Sequence, residues 1–157
     1  MFRHALIAGK FAPFHKGHQL LVETALAESL RLTVLTYAEP DFPDMPSPLR
    51  AGWIRALHPA AEVLVPLGPP PDDSPDEVHR AFVRAFLASR GLAVDAVFSS
   101  EAYGPGFAAA LGATHRMVDR DRLRVPVSGR RIRADLATHE AFLHPLVLQN
   151  LRASAGG

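Results

Sequence analysis

Two histidines, two lysines and two glycines fall within ten residues near the start of the chain, Gly9-Lys10-Phe11-Ala12-Pro13-Phe14-His15-Lys16-Gly17-His18. His15 and His18 are three apart at an expected helix start, so their imidazoles can point the same way and donate hydrogen bonds to phosphate oxygens. Gly9 lets a strand end in a turn, Pro13 stiffens the approach, and Gly17 leaves room for a ligand beside the backbone. The free amides and dipole of a helix start favour an anion. Lys10 and Lys16 add mobile positive charge, and they are the only lysines, 2 of 17 basic residues against 15 arginines. The pattern is neither the three-glycine dinucleotide fingerprint nor the phosphate loop whose lysine follows a glycine and precedes Ser or Thr. A zinc site would find two ligands in His15 and His18, and no third stands nearby.

Two further segments carry chemistry. In Val127-Ser128-Gly129-Arg130-Arg131-Ile132-Arg133, Pro126 ends an extended stretch and Ser128 caps a helix whose first amides face an anion. The planar fork of Arg133 suits a phosphate. In Ser99-Ser100-Glu101-Ala102-Tyr103-Gly104, a carboxylate follows directly on a strand end. His4, His58, His139 and His144 read as structural.

The elements that position these residues alternate. Strands are expected at Phe2–Ala8, Leu32–Tyr37, Glu62–Val65, Val94–Phe98 and Thr114–Val118, each an apolar or β-branched run. Helices are expected over Gly17–Ser29, from Ser47-Pro48 to Leu57, from Ser74-Pro75 to Gly91, from Ser128, and from a Thr138 cap to Leu151. Gly104 opens one more. This alternation predicts an α/β chain, a Rossmann-like doubly wound parallel sheet flanked by helices, in a single domain (1–153) with C-terminal helices and a frayed end (154–157). Such a sheet binds ligands beyond the carboxyl ends of its strands, where the segments above lie.

Composition narrows the function. The 157 residues are 48% hydrophobic, enough for one core. With 0 cysteines, disulfide scaffolds, thiolate metal sites and cysteine nucleophiles are excluded. A net charge of +1 gives no bulk attraction to nucleic acid or membrane. No apolar run approaches the roughly 18–20 residues that span a bilayer, and no leader precedes the first strand, so a cytoplasmic protein is expected. The average hides an asymmetry. Residues 39–77 hold eight acidic and two basic residues and ten of the 14 prolines, whereas 112–135 hold seven arginines and three aspartates.

The segment Gly9–His18 resembles the signature of the nucleotidylyltransferase superfamily, whose core is His-x-Gly-His, here His15-Lys16-Gly17-His18. Val127–Arg133 is similar to its second signature, Ile-Ser-Ser-Thr-x-x-Arg, with Gly129 for the second serine and Arg130 for the threonine. Ser99–Gly104, Val118-Asp119-Arg120-Asp121-Arg122 and His139–Leu146 resemble segments of the bacterial adenylyltransferases that act on nicotinamide mononucleotide and are often fused to a ribosylnicotinamide kinase. A kinase would need its own phosphate loop and well over 100 further residues, so that step is expected to be absent.

The resemblance implies transfer of AMP from ATP to nicotinamide mononucleotide, giving NAD and pyrophosphate, with Mg²⁺ on the triphosphate and no protein metal site. His15, His18, Lys16 and Arg133 would be catalytic. Gly9, Lys10, Phe11, Gly17, Ser128 and Arg131 would hold ATP. The acceptor would meet Arg50 through its phosphate and Trp53 through a stacked pyridinium, with Ser100, Glu101 and Tyr103 close by. The partners are thus two small nucleotides, and no apolar stripe identifies an interface between copies. Two other readings stand: another acceptor (nicotinate mononucleotide, phosphopantetheine or a phosphorylated alcohol), and a non-catalytic nucleotide-binding regulator.

Overall fold

The computed structural model describes residues 1–156. Five strands form one sheet: β1 (Ala5–Gly9), β2 (Leu32–Thr36), β3 (Glu62–Leu64), β4 (Ala96–Ser99) and β5 (Thr114–Met117). All pairings are parallel, in the order β3-β2-β1-β4-β5. Ala5 lies opposite Leu32 on one side and Ala96 on the other. β2 and β4 are buried along their whole length because both faces are covered. Alternate residues go to opposite faces: Ala5, Ile7, Val34, Val63 and Phe98 enter one core, Leu6, Leu35 and Val97 the other.

The first core is closed by α1 (Lys16–Glu28), α2 (Ser47–Leu57) and the C-terminal helices, through Val22, Trp53, Ile54, Ile132 and Val147. The second is closed by α3 (Asp76–Ser89) and α4 (Gly104–Ala110), through Val83, Leu87 and Phe107. The chain steps from β1 to β2 to β3, then α3 carries it back to β4 on the far side of β1. The strand order therefore reverses between β1 and β4, and a crevice opens at their carboxyl ends.

Several boundaries differ from expectation. The first strand begins at Ala5, not Phe2, because the amides of Arg3 and His4 are both taken by the Asp95 carboxylate at 3.0 Å; the same residue delays β4 to Ala96. Ser47 is the first residue inside α2, and its amide and hydroxyl donate to Asp41 at 2.8 and 2.9 Å. The N-cap positions of α2 and α3 are Pro46 and Pro75, neither with a side-chain cap. Ser128 does cap α5 (Gly129–Ala134).

Thr138 does not cap the last helix. It lies inside α6 (Leu136–His139), where Asp135 accepts its amide at 3.2 Å and its hydroxyl at 2.6 Å. A 3₁₀ turn over Glu140–Phe142 follows. The last helix, α7 (Pro145–Gly156), starts at a proline, with His144 Nδ1 accepting the Leu146 amide at 3.0 Å. The expected frayed end, 154–157, overlaps the last turn of α7, and Gly157 lies outside the described residues. Among the described residues no helix is long and apolar enough to cross a membrane.

Candidate active site

The crevice at the β1/β4 switch is a cleft of about 770 Å³. One wall is the start of α1. His15 is its N-cap, extended at φ −122°, and its Nδ1 accepts the amides of Gly17 and His18 at 3.0 and 3.3 Å. His18 Nδ1 in turn accepts the amide of His15 at 3.2 Å. The two imidazoles thus form a reciprocal capping box. With both Nδ1 atoms accepting, each neutral ring carries its proton on Nε2. The expectation of open amides at this helix start is corrected, since the imidazole of His15 occupies two of them.

Both rings are held neutral. Burial, with the charge of Arg122, lowers the His15 pKa to about 4. Burial, the neighbouring His15 and Arg122 lower that of His18 well below the usual value, against an opposing contribution from the Pro13 carbonyl. His18 is enclosed by Phe11, edge-on at 4.9 Å, and by Phe14, stacked at 5.8 Å. The pair therefore offers Nε2–H donors without net charge.

The glycines are explained by close approach. A Cβ at Gly9 would meet the Phe11 ring at 3.1 Å, and one at Gly17 the His15 imidazole at 2.8 Å. Phe11 itself is buried in the left-handed region at φ 54°.

A second wall is the start of α5. The Ser128 hydroxyl accepts the Arg131 amide at 3.3 Å. Gly129 allows the helix to seat against the first loop, since a Cβ there would come 2.9 Å from the Ala12 carbonyl oxygen. Arg133 donates to that same carbonyl, and its guanidinium lies 5.0 Å from the Phe42 ring centre. Burial and the neighbouring Arg130 lower its pKa. Ser128, Arg130, Arg131 and Arg133 all line the cleft.

Ser100, Glu101 and Tyr103 line it from the β4 end. The Tyr103 hydroxyl donates to the Ala8 carbonyl at 3.0 Å, and burial together with Glu101 raises its pKa. Glu101 pairs with Arg122 at 3.0 Å. Ser99, one residue earlier, hydrogen-bonds His115 at 2.7 Å and fixes the entry to α4; a side chain at Gly104 would collide with both.

Three expected site residues lie elsewhere. Lys16 is exposed and does not line the cleft. Arg50 is fully buried in α2, where it donates to the Lys10 carbonyl at 2.6 Å, Asp41 at 2.7 Å, the Met45 carbonyl at 2.6 Å and Ser47 at 3.1 Å. Those four bonds use all but one of its five N–H donors, so it ties the first loop to the start of α2 and is not among the residues that line the cleft. Trp53 is 1% exposed, and its indole donates to Asn150 at 2.7 Å, tying α2 to α7 instead of stacking on a ligand.

Other residues line the cleft unforeseen. Asp72 holds Lys10 at 3.0 Å. The Tyr37 hydroxyl lies 3.1 Å from His79 Nδ1, with the rings stacked; burial and Asp72 raise the Tyr37 pKa to about 12. Arg122 belongs to the Val118–Arg122 run already singled out in the sequence. Asp72 and His79 carry no local signal, because long loops and the α3 crossover bring them to β1. Six cations (Lys10, Arg80, Arg122, Arg130, Arg131, Arg133) line the cleft against four carboxylates (Asp72, Asp76, Glu101, Asp119), a balance suited to a polyanion. Among the described residues no three His, Asp or Glu side chains cluster as metal ligands.

The chain shares its doubly wound α/β fold with several solved structures. Similar solved structures include a NadR protein in complex with NAD and AMP-PNP (16% identity, TM-score 0.59, 90% of this chain and 44% of that one). Another is a bifunctional NMN adenylyltransferase/ADP ribose pyrophosphatase from Francisella tularensis, complexed with AMP and a Mn ion (16%, 0.65, 100% and 50%). A third is a putative nicotinate-nucleotide adenylyltransferase from Vibrio parahaemolyticus (14%, 0.61, 96% and 99%). The chain spans about half the length of the first two. No protein-family model matches the sequence, and no curated protein is significantly similar to it.

Proposed function

We propose that the protein is an adenylyltransferase that joins ATP to nicotinamide mononucleotide, forming NAD and releasing pyrophosphate. The observation that carries this reading is the His15/His18 pair: two neutral imidazoles with Nε2–H donors, at the switch point of a doubly wound sheet, lining one cleft together with Ser128 and Arg133. Neutral donors beside a cationic wall suit a polyphosphate whose charge shifts during reaction.

In the reaction the acceptor's phosphate oxygen attacks the α-phosphorus of ATP in line. The bond from that phosphorus to the bridging oxygen breaks, and its electron pair leaves on pyrophosphate. No protein nucleophile and no proton transfer are required, so the chain contributes positioning and charge stabilisation. His15 and His18 donate to oxygens of the α- and β-phosphates. Arg133, with Arg130 and Arg131 beside it, holds the triphosphate tail, and Ser128 shapes that wall by capping α5. Gly9 and Gly17 keep the floor low enough for the phosphates to approach. Lys10 reaches a phosphate on leaving Asp72. Ser100, Glu101 and Tyr103 border the acceptor's end. A divalent cation such as Mg²⁺ would enter with the triphosphate and would neutralise part of its charge, without a dedicated set of protein ligands among the described residues.

Pyrophosphate release from ATP tests the reading, measured with nicotinamide mononucleotide, nicotinate mononucleotide, phosphopantetheine and phosphocholine, the last offered with CTP as well as ATP. Release with nicotinamide mononucleotide, and NAD in the product, is the expected result. Turnover confined to another acceptor would reassign the substrate. ATP binding without pyrophosphate from any acceptor would make the protein a nucleotide-binding regulator.

A further inference from the structure

The two imidazoles supply hydrogen bonds but no charge. The cations of the cleft are differently committed. Lys10 is paired with Asp72, Lys16 lies outside, and Arg133 is bonded to the Ala12 carbonyl beneath the α5 wall. Arg122 is the arginine whose charge bears on both His15 and His18.

Its placement is built in detail. The loop after β5 turns through two non-glycine residues in the left-handed region, Asp119 at φ 50° and Arg122 at φ 54°, a conformation that side chains ordinarily avoid. The Arg122 amide donates to the Asp119 carbonyl at 2.9 Å. The Asp119 carboxylate accepts the amides of Arg124 and Val125, each at 2.9 Å. The loop is thereby closed on itself, and the Arg122 guanidinium bridges two walls of the cleft. One nitrogen donates to the Val127 carbonyl at 2.8 Å, next to the Ser128 cap, and another to Glu101 at 3.0 Å, at the β4 end. Backbone strain of this kind collects at functional sites, where surrounding structure enforces it.

We propose that Arg122 is a catalytic residue of the transfer, bonding the non-bridging oxygens of the reacting α-phosphate where the Nε2–H edges of the two imidazoles meet the cleft, with Glu101 holding its guanidinium in place until the substrates enter. This rests on the adenylyltransferase reading and adds a residue and a role to it. As the acceptor oxygen bonds to phosphorus and the bridging oxygen departs, charge spreads over the equatorial oxygens. Arg122 meets that charge with a preorganised planar fork and takes up no proton. Glu101, half-exposed, gives up its partner to the more highly charged phosphate.

The test uses the full chain with ATP and whichever acceptor the wild type accepts. Arg122→Gln keeps a hydrogen-bonding side chain and removes the charge; its kcat is expected to fall by about 10²–10³-fold, with the KM for ATP changed far less. Arg122→Lys keeps the charge without the fork and is expected to fall by about tenfold. A kcat for Arg122→Gln within about threefold of wild type would overturn the role while leaving the adenylyltransferase reading standing. A wild type inactive with every acceptor would remove that reading itself. Should circular dichroism show Arg122→Gln unfolded, Arg122→Lys decides alone, and wild-type kcat in it overturns the proposal. A residue that only shaped the loop would change stability or KM without this loss in kcat.

Discussion

The imidazoles of His15 and His18 lie stacked, their ring centres 3.6 Å apart and their planes 18° from parallel, and each accepts the backbone amide of the other. One pair of side chains therefore both starts α1 and faces the cleft. Folding and function depend on different nitrogens of the same rings, Nδ1 for the cap and Nε2 for the ligand, so substitution can separate them.

His15→Asn supplies an N-cap without an imidazole Nε2–H; His15→Ala supplies neither. The alanine variant is expected to lose about 1 kcal/mol of stability and the asparagine variant much less. Both are expected to lose about 10²–10³-fold in kcat. Urea unfolding and steady-state rates measured on the two proteins check this. An asparagine variant as fast as wild type would reduce the His15 ring to a helix cap.

The depressed His15 pKa makes stability depend on pH. The unfolded imidazole binds a proton near pH 6.5 and the folded one only near 4. Above about 6.5 both states are neutral, and the native state bears no penalty. As pH falls from 6.5 toward 4, the unfolded state takes up the proton first and is favoured. Roughly 2 kcal/mol should be lost by pH 5 from His15 alone. His4, His58 and His115, also lowered chiefly by burial, act in the same direction. Urea unfolding at pH 7 and pH 5 measures the drop, and the same pair of measurements on His15→Asn should show a smaller one. Equal stability of the wild type at both values would contradict the burial of this ring.

The sheet was legible because its strands are short apolar runs bounded by turns, and the first loop because its residue types are unusual together. Period and punctuation are local signals, and both histidines, Ser128 and Arg133 were readable from them. Arg50 and Trp53 were not. On α2 they resemble a polar and an aromatic contact three residues apart. Their burial is decided by Asp41, Met45 and Asn150, which lie beyond the helix. Thr138 misled for a local reason: Asp135, three residues earlier, takes the cap position and binds the threonine as well. Arg122 stood in a noted segment, but only the left-handed turn and the Glu101 pairing distinguish it from its neighbouring arginines.

The Lys10–Asp72 pair competes with any anion that Lys10 binds. Its nitrogen and carboxylate oxygen are 3.0 Å apart, with side chains 49% and 25% exposed, so the pair contributes only about 0.2–1 kcal/mol. Asp72→Asn retains the acceptor for the Glu39 amide, made at 2.9 Å, and removes the charge. The KM for the phosphate substrate that Lys10 contacts should fall by about 1.5- to 5-fold at low salt, and the gain should shrink as salt rises. A KM that rises would show Asp72 placing Lys10 for the substrate instead of withholding it.

Arg50→Ala separates the role found for this residue from the one its sequence position suggested. The guanidinium is fully buried, and its four bonds join the first loop, through the Lys10 carbonyl, to Asp41, Met45 and Ser47 around the start of α2. Burial pushes the Asp41 pKa up, but hydrogen bonds from Ser47, Arg50 and Phe42 outweigh it and leave the carboxylate below its usual value. Removing the guanidinium strands these acceptors and leaves a cavity, so the expected cost is about 3–5 kcal/mol. For a chain of this length that corresponds to a fall in Tm of about 10 °C or more. Trp53→Phe loses the Asn150 bond and should cost about 1 kcal/mol. Thermal unfolding followed by circular dichroism reads both variants. A substrate contact would give the opposite pattern, an unchanged Tm with a raised KM for the mononucleotide, and that result would return Arg50 to the acceptor site.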